Sequence, residues 1–427
     1  MSPMAILFIS FVITLAIGVP IVWAISLSSI FAILAMGDVP LTFLAQRMYA
    51  GTEKYALLAV FFFMLAGAIM QHGGISSRLI KFCKAAFGHV SGGLSIVALV
   101  ACIFFAALSG SSIATTAAIG AILYPELVKA GYPKGYSGVL PVVGGTLGIV
   151  IPPSIVFVVY GTATNTSVSK LLMSGLMPGV LAGVAMCIYA YVYAKKNNLP
   201  KGERFNLKNF VVATKDAFWA LLMPIIILGG IYSGVFTATE SAAVAVVYGL
   251  IVSIFIYREL KFDKLIQIAI DSVQSTANVM LILMAASLFA WVLTRNNVPT
   301  ILANAMTGVI TNKVTFLLCL NVLLLILGMI MDAGPIILIV APLVYPIAMS
   351  YGIDPIQLGC IIVFNLSVGQ ATPPFGNCLF AAVPVTNQDV ITLSKNAIPF
   401  IVILYAMVLL TSFVPALSTW IPSMMSL

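Results

Sequence analysis

Long apolar runs, interrupted by short polar or basic loops, fill almost the whole chain, and runs of this length predict helices that cross a bilayer. Segments 4 to 18 and 20 to 36 flank Gly18-Val19-Pro20 and are each short for a span, which gives either two short helices or one kinked helix. Residues 55 to 72 form an ordinary span. In 73 to 90, Arg78, Lys81 and Lys84 alternate with Leu79, Ile80, Phe82 and Phe87, the pattern of an amphipathic helix lying along the membrane surface. Leu94 to Leu108 and Ile113 to Tyr124 are apolar arms of 15 and 12 residues around the polar tip Ser109-Gly110-Ser111-Ser112. A crossing takes about 20 residues, and basic residues lie at both ends, so 91 to 130 reads as a re-entrant hairpin. The next span, 135 to 164, carries Gly148-Ile149-Val150-Ile151-Pro152-Pro153-Ser154. Two adjacent prolines remove backbone donors and the glycine frees the chain from helical geometry, so this span is broken. The chain returns over 177 to 194.

The second half follows the same grammar. Spans 217 to 235, 240 to 257 and 276 to 294 are expected, with interfacial segments at 265 to 275 and 295 to 312. A second hairpin, 315 to 350, has arms Thr315 to Ile330 and Ile336 to Pro346 around Met331-Asp332-Ala333-Gly334-Pro335. A second broken span, 355 to 385, carries Gly369-Gln370-Ala371-Thr372-Pro373-Pro374-Phe375-Gly376, and 395 to 416 is the last span. Laying 120 to 154 on 341 to 375 without gaps gives eight identities, among them Tyr124/Tyr345, Pro125/Pro346, Gly148/Gly369, Pro152/Pro373 and Pro153/Pro374. Average residue usage predicts about two. Five crossings separate the two copies, and an odd number inverts the second. The expectation is therefore an all-α polytopic membrane protein of two inverted repeats, 1–200 and 217–427, joined by a cytoplasmic loop at 201–216. Each repeat has about five spans and one re-entrant hairpin, with its broken helix at the midplane.

Composition agrees: 62% hydrophobic and 7% charged residues leave too little polar surface to cover a soluble globule of 427 residues. The net charge of +8 does not indicate nucleic acid, because no basic stripe or aromatic platform is present. Instead 15 of the 20 Lys and Arg fall in loops assigned to the cytoplasm, with Arg47, Lys54, Lys170, Arg295 and Lys313 the exceptions, which puts both termini outside. The six cysteines are scattered singly in apolar context and read as packing residues. The first apolar run has no charged leader or small-residue cleavage site and reads as a retained span.

Carbonyls freed at a broken helix need a protein group, a water or an ion as partner in hydrocarbon, and sodium suits such oxygens. Candidate ion ligands in the first half are Ser109, Ser112, Gly148, Ile151 and Pro153. In the second they are Asp332, Ala333, Gly369, Thr372 and Pro374. The bland alternative is that Gly and Pro only kink packed helices. A carboxylate at membrane depth is costly, so Asp332 either helps hold a cation or caps the helix that follows it. Helix starts at the tips point positive dipole ends inward, toward a substrate carboxylate. Ser111, Thr115, Gly334, Gly376 and Asn377 are candidate lining. Arg295, at a span end, reads as an interface anchor or an attractor of anions. Glu240 lies where Thr237 or Thr239 could cap a closely packed small-residue helix, and reads as structural.

With these residues laid out, the chain resembles the large permease subunit of tripartite ATP-independent periplasmic (TRAP) transporters over essentially its full length. The resemblance rests on Thr237 to Tyr248, both tips and both breaks. It implies sodium-coupled uptake of an organic acid, of the sialic acid or C4-dicarboxylate class, across the bacterial inner membrane by an elevator movement. Na+ would be the coupling ion, with no organic cofactor. The implied partners are a small membrane subunit and a periplasmic substrate-binding protein, the former expected as a separate chain, besides membrane lipid. A stand-alone sodium/carboxylate symporter or a channel of related architecture is the main alternative. An intramembrane enzyme lacks its ligand set or paired aspartates.

Overall fold

The apolar runs form helices throughout the computed structural model, which describes residues 2–202, 204–301 and 312–425. Only helices satisfy every backbone group within one apolar segment, and among the described residues the only β pairing is an isolated bridge between Ser91 and Lys201. Eight helical stretches there are long and apolar enough to cross a bilayer.

In chain order, α1 (Pro3–Ala16), α2 (Ile21–Met36) and α3 (Leu41–Ala50) precede α4 (Leu58–His72) and α5 (Ile75–Phe87). The first hairpin is α6 (Gly93–Ser109) and α7 (Ser112–Lys129), followed by α8 (Lys134–Thr146), α9 (Ile155–Thr164), α10 (Val168–Ser174) and α11 (Leu176–Lys196). Three long helices come next: α12 (Leu207–Tyr232), α13 (Ala238–Ile251) and α14 (Phe262–Arg295). The second hairpin is α15 (Lys313–Ile330) and α16 (Ala333–Ser350). Then come α17 (Pro355–Gly369), α18 (Asn377–Thr386), α19 (Val390–Phe413) and α20 (Ala416–Ser423).

Several boundaries differ from the expectation. The hairpin arms are longer than the apolar runs suggested: α6 and α7 have 17 and 18 residues, and α15 and α16 have 18 each. Pro125 and Pro346 lie inside their helices instead of ending them, as neighbouring helices permit in membrane proteins. The N-terminal segments are two helices, α1 and α2, packed on each other. The supposed interfacial stretch 265–275 is part of one 34-residue helix, α14. Its polar residues Asp271, Ser272 and Ser275 line a cavity. More than half of the 201–216 loop is already helical, because α12 starts at Leu207, capped by the Asn206 side chain. The amphipathic helix at 73–90 is α5, its buried face formed by Ile75, Leu79, Ile80 and Cys83 against α6 and α12. Most of the expected interfacial segment 295–312 lies outside the described residues.

The buried apolar residues form two clusters, a small one on α1, α2 and α14 and a large one that joins α4, α12 and α13 to both hairpins and both broken helices. In the small cluster, α1 and α2 lie on α14 around Leu7, Ile25, Ile33, Leu288 and Phe289. In the large one, α4 packs against α13 and α14, and each hairpin packs on the broken helix of the opposite half: α7 lies against α18, and α16 against α9. The loops that the charge pattern put on one side do meet. Arg78 pairs with Asp216 at 3.2 Å and Glu259 at 2.6 Å, its guanidinium 3.8 Å from the Tyr257 ring. Lys84 pairs with Glu126, and the Tyr132 hydroxyl donates to the Pro200 carbonyl at 3.0 Å.

The start of α13 is a capping box: the Glu240 carboxylate accepts from the Thr237 amide at 2.8 Å, while Thr237 Oγ1 accepts from the Glu240 amide at 3.3 Å. Thr237→Ala is expected to destabilise the detergent-solubilised chain by about 1 kcal/mol, lowering its melting temperature, and Thr237→Ser to preserve it. A wild-type melting curve for the alanine variant would show that the cap contributes nothing.

Candidate functional site

At the first break, α8 ends at Thr146, a short turn covers Leu147–Ile149, and α9 begins at Ile155 with Ser154 as its cap. Pro152 has no N–H, so the Gly148 carbonyl has no helical donor four residues on. The Ile149 carbonyl loses its donor at Pro153 in the same way and accepts instead from Ser154 Oγ, at 2.6 Å.

The tip of the first hairpin lies directly on this break. Gly110, at φ +62°, would place a Cβ 2.8 Å from the Pro153 carbonyl oxygen, and a Cβ on Gly148 would lie 2.5 Å from the Ser111 carbonyl oxygen. Ser109 Oγ hydrogen-bonds Thr115 Oγ1 at 2.8 Å, and Ser111 caps α7 through its side chain. Thr115 also donates to the Ser111 carbonyl at 2.8 Å, so its hydroxyl is turned into the tip. Ile151 is buried with its side chain against Gly179 of α11.

Both halves meet on one atom. The Thr146 carbonyl accepts from Ser112 Oγ at 3.2 Å and from Ser367 Oγ at 2.6 Å, and Ser367 is the residue 221 positions after Thr146. Other boundaries recur at that spacing. Ser111 and Asp332 are the caps of α7 and α16, these helices end at Lys129 and Ser350, and α8 and α17 begin at Lys134 and Pro355. Beyond the breaks the offset grows by one, with left-handed Asn165 and Asn387 closing α9 and α18.

The second tip is built differently. Asp332 stands at the cap position of α16, yet its side chain accepts no backbone amide there, which corrects the capping alternative. Its Oδ1 accepts from Gln370 Nε2 at 3.0 Å and Asn377 Nδ2 at 3.3 Å, joining the tip to both sides of the second break. Gly369 is held against Gly328 of α15, where a Cβ would come within 2.6 Å of backbone, and Thr372 Oγ1 donates to the Val368 carbonyl at 2.7 Å. Gly376 packs on the Gln370 and Thr372 carbonyls; Ala333 is buried, Pro374 exposed, and the Cα of Gly334 faces open space. Arg295 lies apart from both tips in its contacts: it pairs with Asp38 at 2.5 Å, with its guanidinium 5.4 Å from the Trp291 ring.

Two cavities lie along α14, on its seam with the hairpins. One, of about 460 Å³, is lined by the first tip through Ser109 and Ser111, by Gly67 and Gln71 of α4, and by Asp271, Ser272 and Ser275 of α14. The other, of about 380 Å³, is lined by Arg47, Lys54, Thr162 and Asn165, by Leu283 to Ala290 of α14, and by Leu338 and Pro342 of α16. Gln71, Asp271, Ser272, Ser275, Ser367 and Gln370 were not singled out from sequence, although polar residues in an apolar run were a usable signal for the α14 set. Among the described residues no cluster of three His, Cys, Asp or Glu side chains suited to a metal site occurs.

Comparison with known proteins completes the picture. The large permease protein of a C4-dicarboxylate TRAP transporter from Pseudomonas aeruginosa is 42% identical over 400 residues, 94% of each chain. A permease protein of the isethionate TRAP transporter of Oleidesulfovibrio alaskensis is 40% identical over 97% of this chain, a match spanning 66% of that longer protein. In fold alone, the chain is similar to the YdaH transporter of Alcanivorax borkumensis, with a TM-score of 0.67, 13% identity and 87% coverage of both chains. The family model for the DctM component of the tripartite ATP-independent periplasmic transporters matches residues 8–417. The chain therefore belongs to this family, as a multi-pass inner-membrane permease and not an enzyme.

Proposed function

We propose that the chain is the sodium-coupled large subunit of a transporter that takes up a small organic acid, with the two tips and two breaks as its ion and substrate site. The observation that carries this reading is the seating of the first tip on the first break. It brings Ser109 Oγ to the Ser111 carbonyl at 3.3 Å and sets Gly110 against the Pro153 carbonyl, beside Gly148, where proline has removed a helical donor. Ser109, Ser112, Gly148, Ile151 and Pro153 would hold one sodium ion. Asp332, Ala333, Gly369, Thr372 and Pro374 would hold another, with Asp332 supplying charge. The bound ions supply positive charge that offsets the substrate carboxylate.

Substrate would lie between the tips, against Ser111, Thr115, Gly334, Gly376 and Asn377, where the starts of α7 and α16 present free amides. The recurrence of boundaries at 221 residues supports two repeats, 1–200 and 217–427, in inverted orientation. The reading includes an elevator movement of the hairpins and broken helices against α4 and α14, along the two cavities between them. The two seam cavities would be the vestibules of the two end states. Ser275 and Leu283 are eight residues apart, so these vestibules are spaced about 12 Å along α14. A small membrane subunit and a periplasmic binding protein complete the system in this reading, and the named relatives make a C4-dicarboxylate-sized acid the first substrate to test.

Uptake of labelled succinate into proteoliposomes tests the three-component form. Uptake is expected only when the small subunit and the binding protein are both supplied; uptake by this chain alone would favour a stand-alone carrier. Ser109→Ala removes one proposed ligand among several, so the sodium concentration for half-maximal uptake is expected to rise about threefold to tenfold, on the order of 1 kcal/mol. An unchanged sodium dependence would remove Ser109 from the site.

A further inference from the structure

We propose that Arg47 and Lys54 form a second binding site, which takes a carboxylate or similar oxyanion in the cavity between α3, α9, α14 and α16. The lining of that cavity has two cationic side chains and no carboxylate, whereas the cavity at the first tip has Asp271 as its only charged group. Among the described residues the guanidinium of Arg47 has no hydrogen-bond or ion-pair partner; the residue is half-buried, with its Nε buried and unpartnered. A partly desolvated cation without a partner is costly, and an incoming oxyanion relieves that cost through charge-assisted hydrogen bonds. The backbone here is fixed: Ser287 Oγ of α14 donates to the Arg47 carbonyl at 3.3 Å, and Gly51 packs so closely on Ser287 that a Cβ would lie 2.5 Å from it.

Lys54 is the second half of the site. Its ammonium donates to Asn165 Oδ1 at 3.0 Å and to the Thr162 carbonyl at the end of α9, which leaves one proton for a ligand. Partial burial first, and the neighbouring Arg47 charge second, hold its pKa below the ordinary lysine value. Two cations held close together without a counter-ion form a charge trap, and about 380 Å³ accommodates a small organic acid. The site deepens the transport reading by giving the anion a waiting position on the seam, away from Asp271, before it reaches the tips. Anion binding at Arg47 and Lys54 stands or falls independently of uptake.

Chemical labelling of Lys54 tests it. The purified chain, in nanodiscs of phosphatidylcholine alone, is reductively methylated with and without succinate, and each lysine is followed by mass spectrometry. Succinate is expected to slow Lys54 modification about threefold or more by pairing with its charge, with Lys313 and Lys395 unaffected. Arg47→Gln should abolish the protection and Arg47→Lys should retain it, the second variant deciding if the first does not fold. A parallel sample with phosphatidylglycerol and no succinate separates the two sources of oxyanion: slowing there assigns a lipid headgroup as an occupant, slowing with succinate a free acid. Equal Lys54 rates in all three samples would overturn the site, as would full protection in Arg47→Gln. Neither result would bear on sodium-driven uptake.

Discussion

Gly148→Ala is expected to reduce uptake more than tenfold while leaving the chain inserted in the membrane. A Cβ at this position would lie 2.5 Å from the Ser111 carbonyl oxygen and 2.8 Å from the Ser112 amide, both backbone atoms of the first tip. A flexible side chain yields to such contact; these atoms do not, because Ser111 caps α7 and Ser112 is anchored to the Thr146 carbonyl. The tip must therefore lift from the break, which separates the Ser109 hydroxyl from the carbonyls it is proposed to join. Overpacking of this kind costs about 1–3 kcal/mol. The loss is expected in uptake per inserted molecule and not in abundance alone. Gly229, where a Cβ meets nothing within 4 Å, provides the control: Gly229→Ala should transport normally. Uptake by Gly148→Ala within about twofold of wild type, against the 1–3 kcal/mol of overpacking, would show that tip and break need not touch.

Asp332→Asn carries the second large effect. The carboxylate receives two amide donors, Gln370 Nε2 and Asn377 Nδ2, on a single oxygen. An asparagine carbonyl can keep those contacts, so the tip should remain joined to the second break. What disappears is the negative charge. If that charge helps hold a sodium ion, the sodium concentration for half-maximal uptake should rise about tenfold or more, the scale of a lost charge-assisted contact of 1.5–3 kcal/mol. Asp332→Ala, which also leaves both amides unpaired, should weaken thermal stability in addition. Unchanged sodium dependence in Asp332→Asn would make the residue a structural fastener between tip and break.

Much of this arrangement was legible in the residues. Proline and glycine act through covalent geometry, so the breaks at Gly148 and Gly369 and the polar tips could be placed without tertiary information. The capping box at Thr237 and Glu240 is local in the same sense. Helix ends were less legible, because Pro125 and Pro346 end helices in water but are tolerated between packed apolar helices. The cavity around Asp271 was not legible for a related reason: low hydropathy alone does not tell a membrane surface from a cavity, and only the fold brings Gln71 and Ser111 to the same cavity. The partners of Asp332 were invisible, since Gln370 and Asn377 reach it across the hairpin. The same holds for Arg47 and Lys54, exceptions to the charge pattern whose shared cavity depends on α9 and α16.

The most direct test of the central claim is the melting temperature of the purified chain as a function of sodium, at constant ionic strength with choline as replacement. A ligand that binds only the folded state stabilises it by RT ln(1 + [L]/Kd), about 2.7 kcal/mol at a hundredfold excess over Kd. The wild type should therefore gain several degrees with sodium and not with potassium, and the combined Ser109→Ala, Asp332→Asn variant should lose most of that gain. An equal sodium response in wild type and double variant, or none in either, would contradict ion binding where the tips meet the breaks.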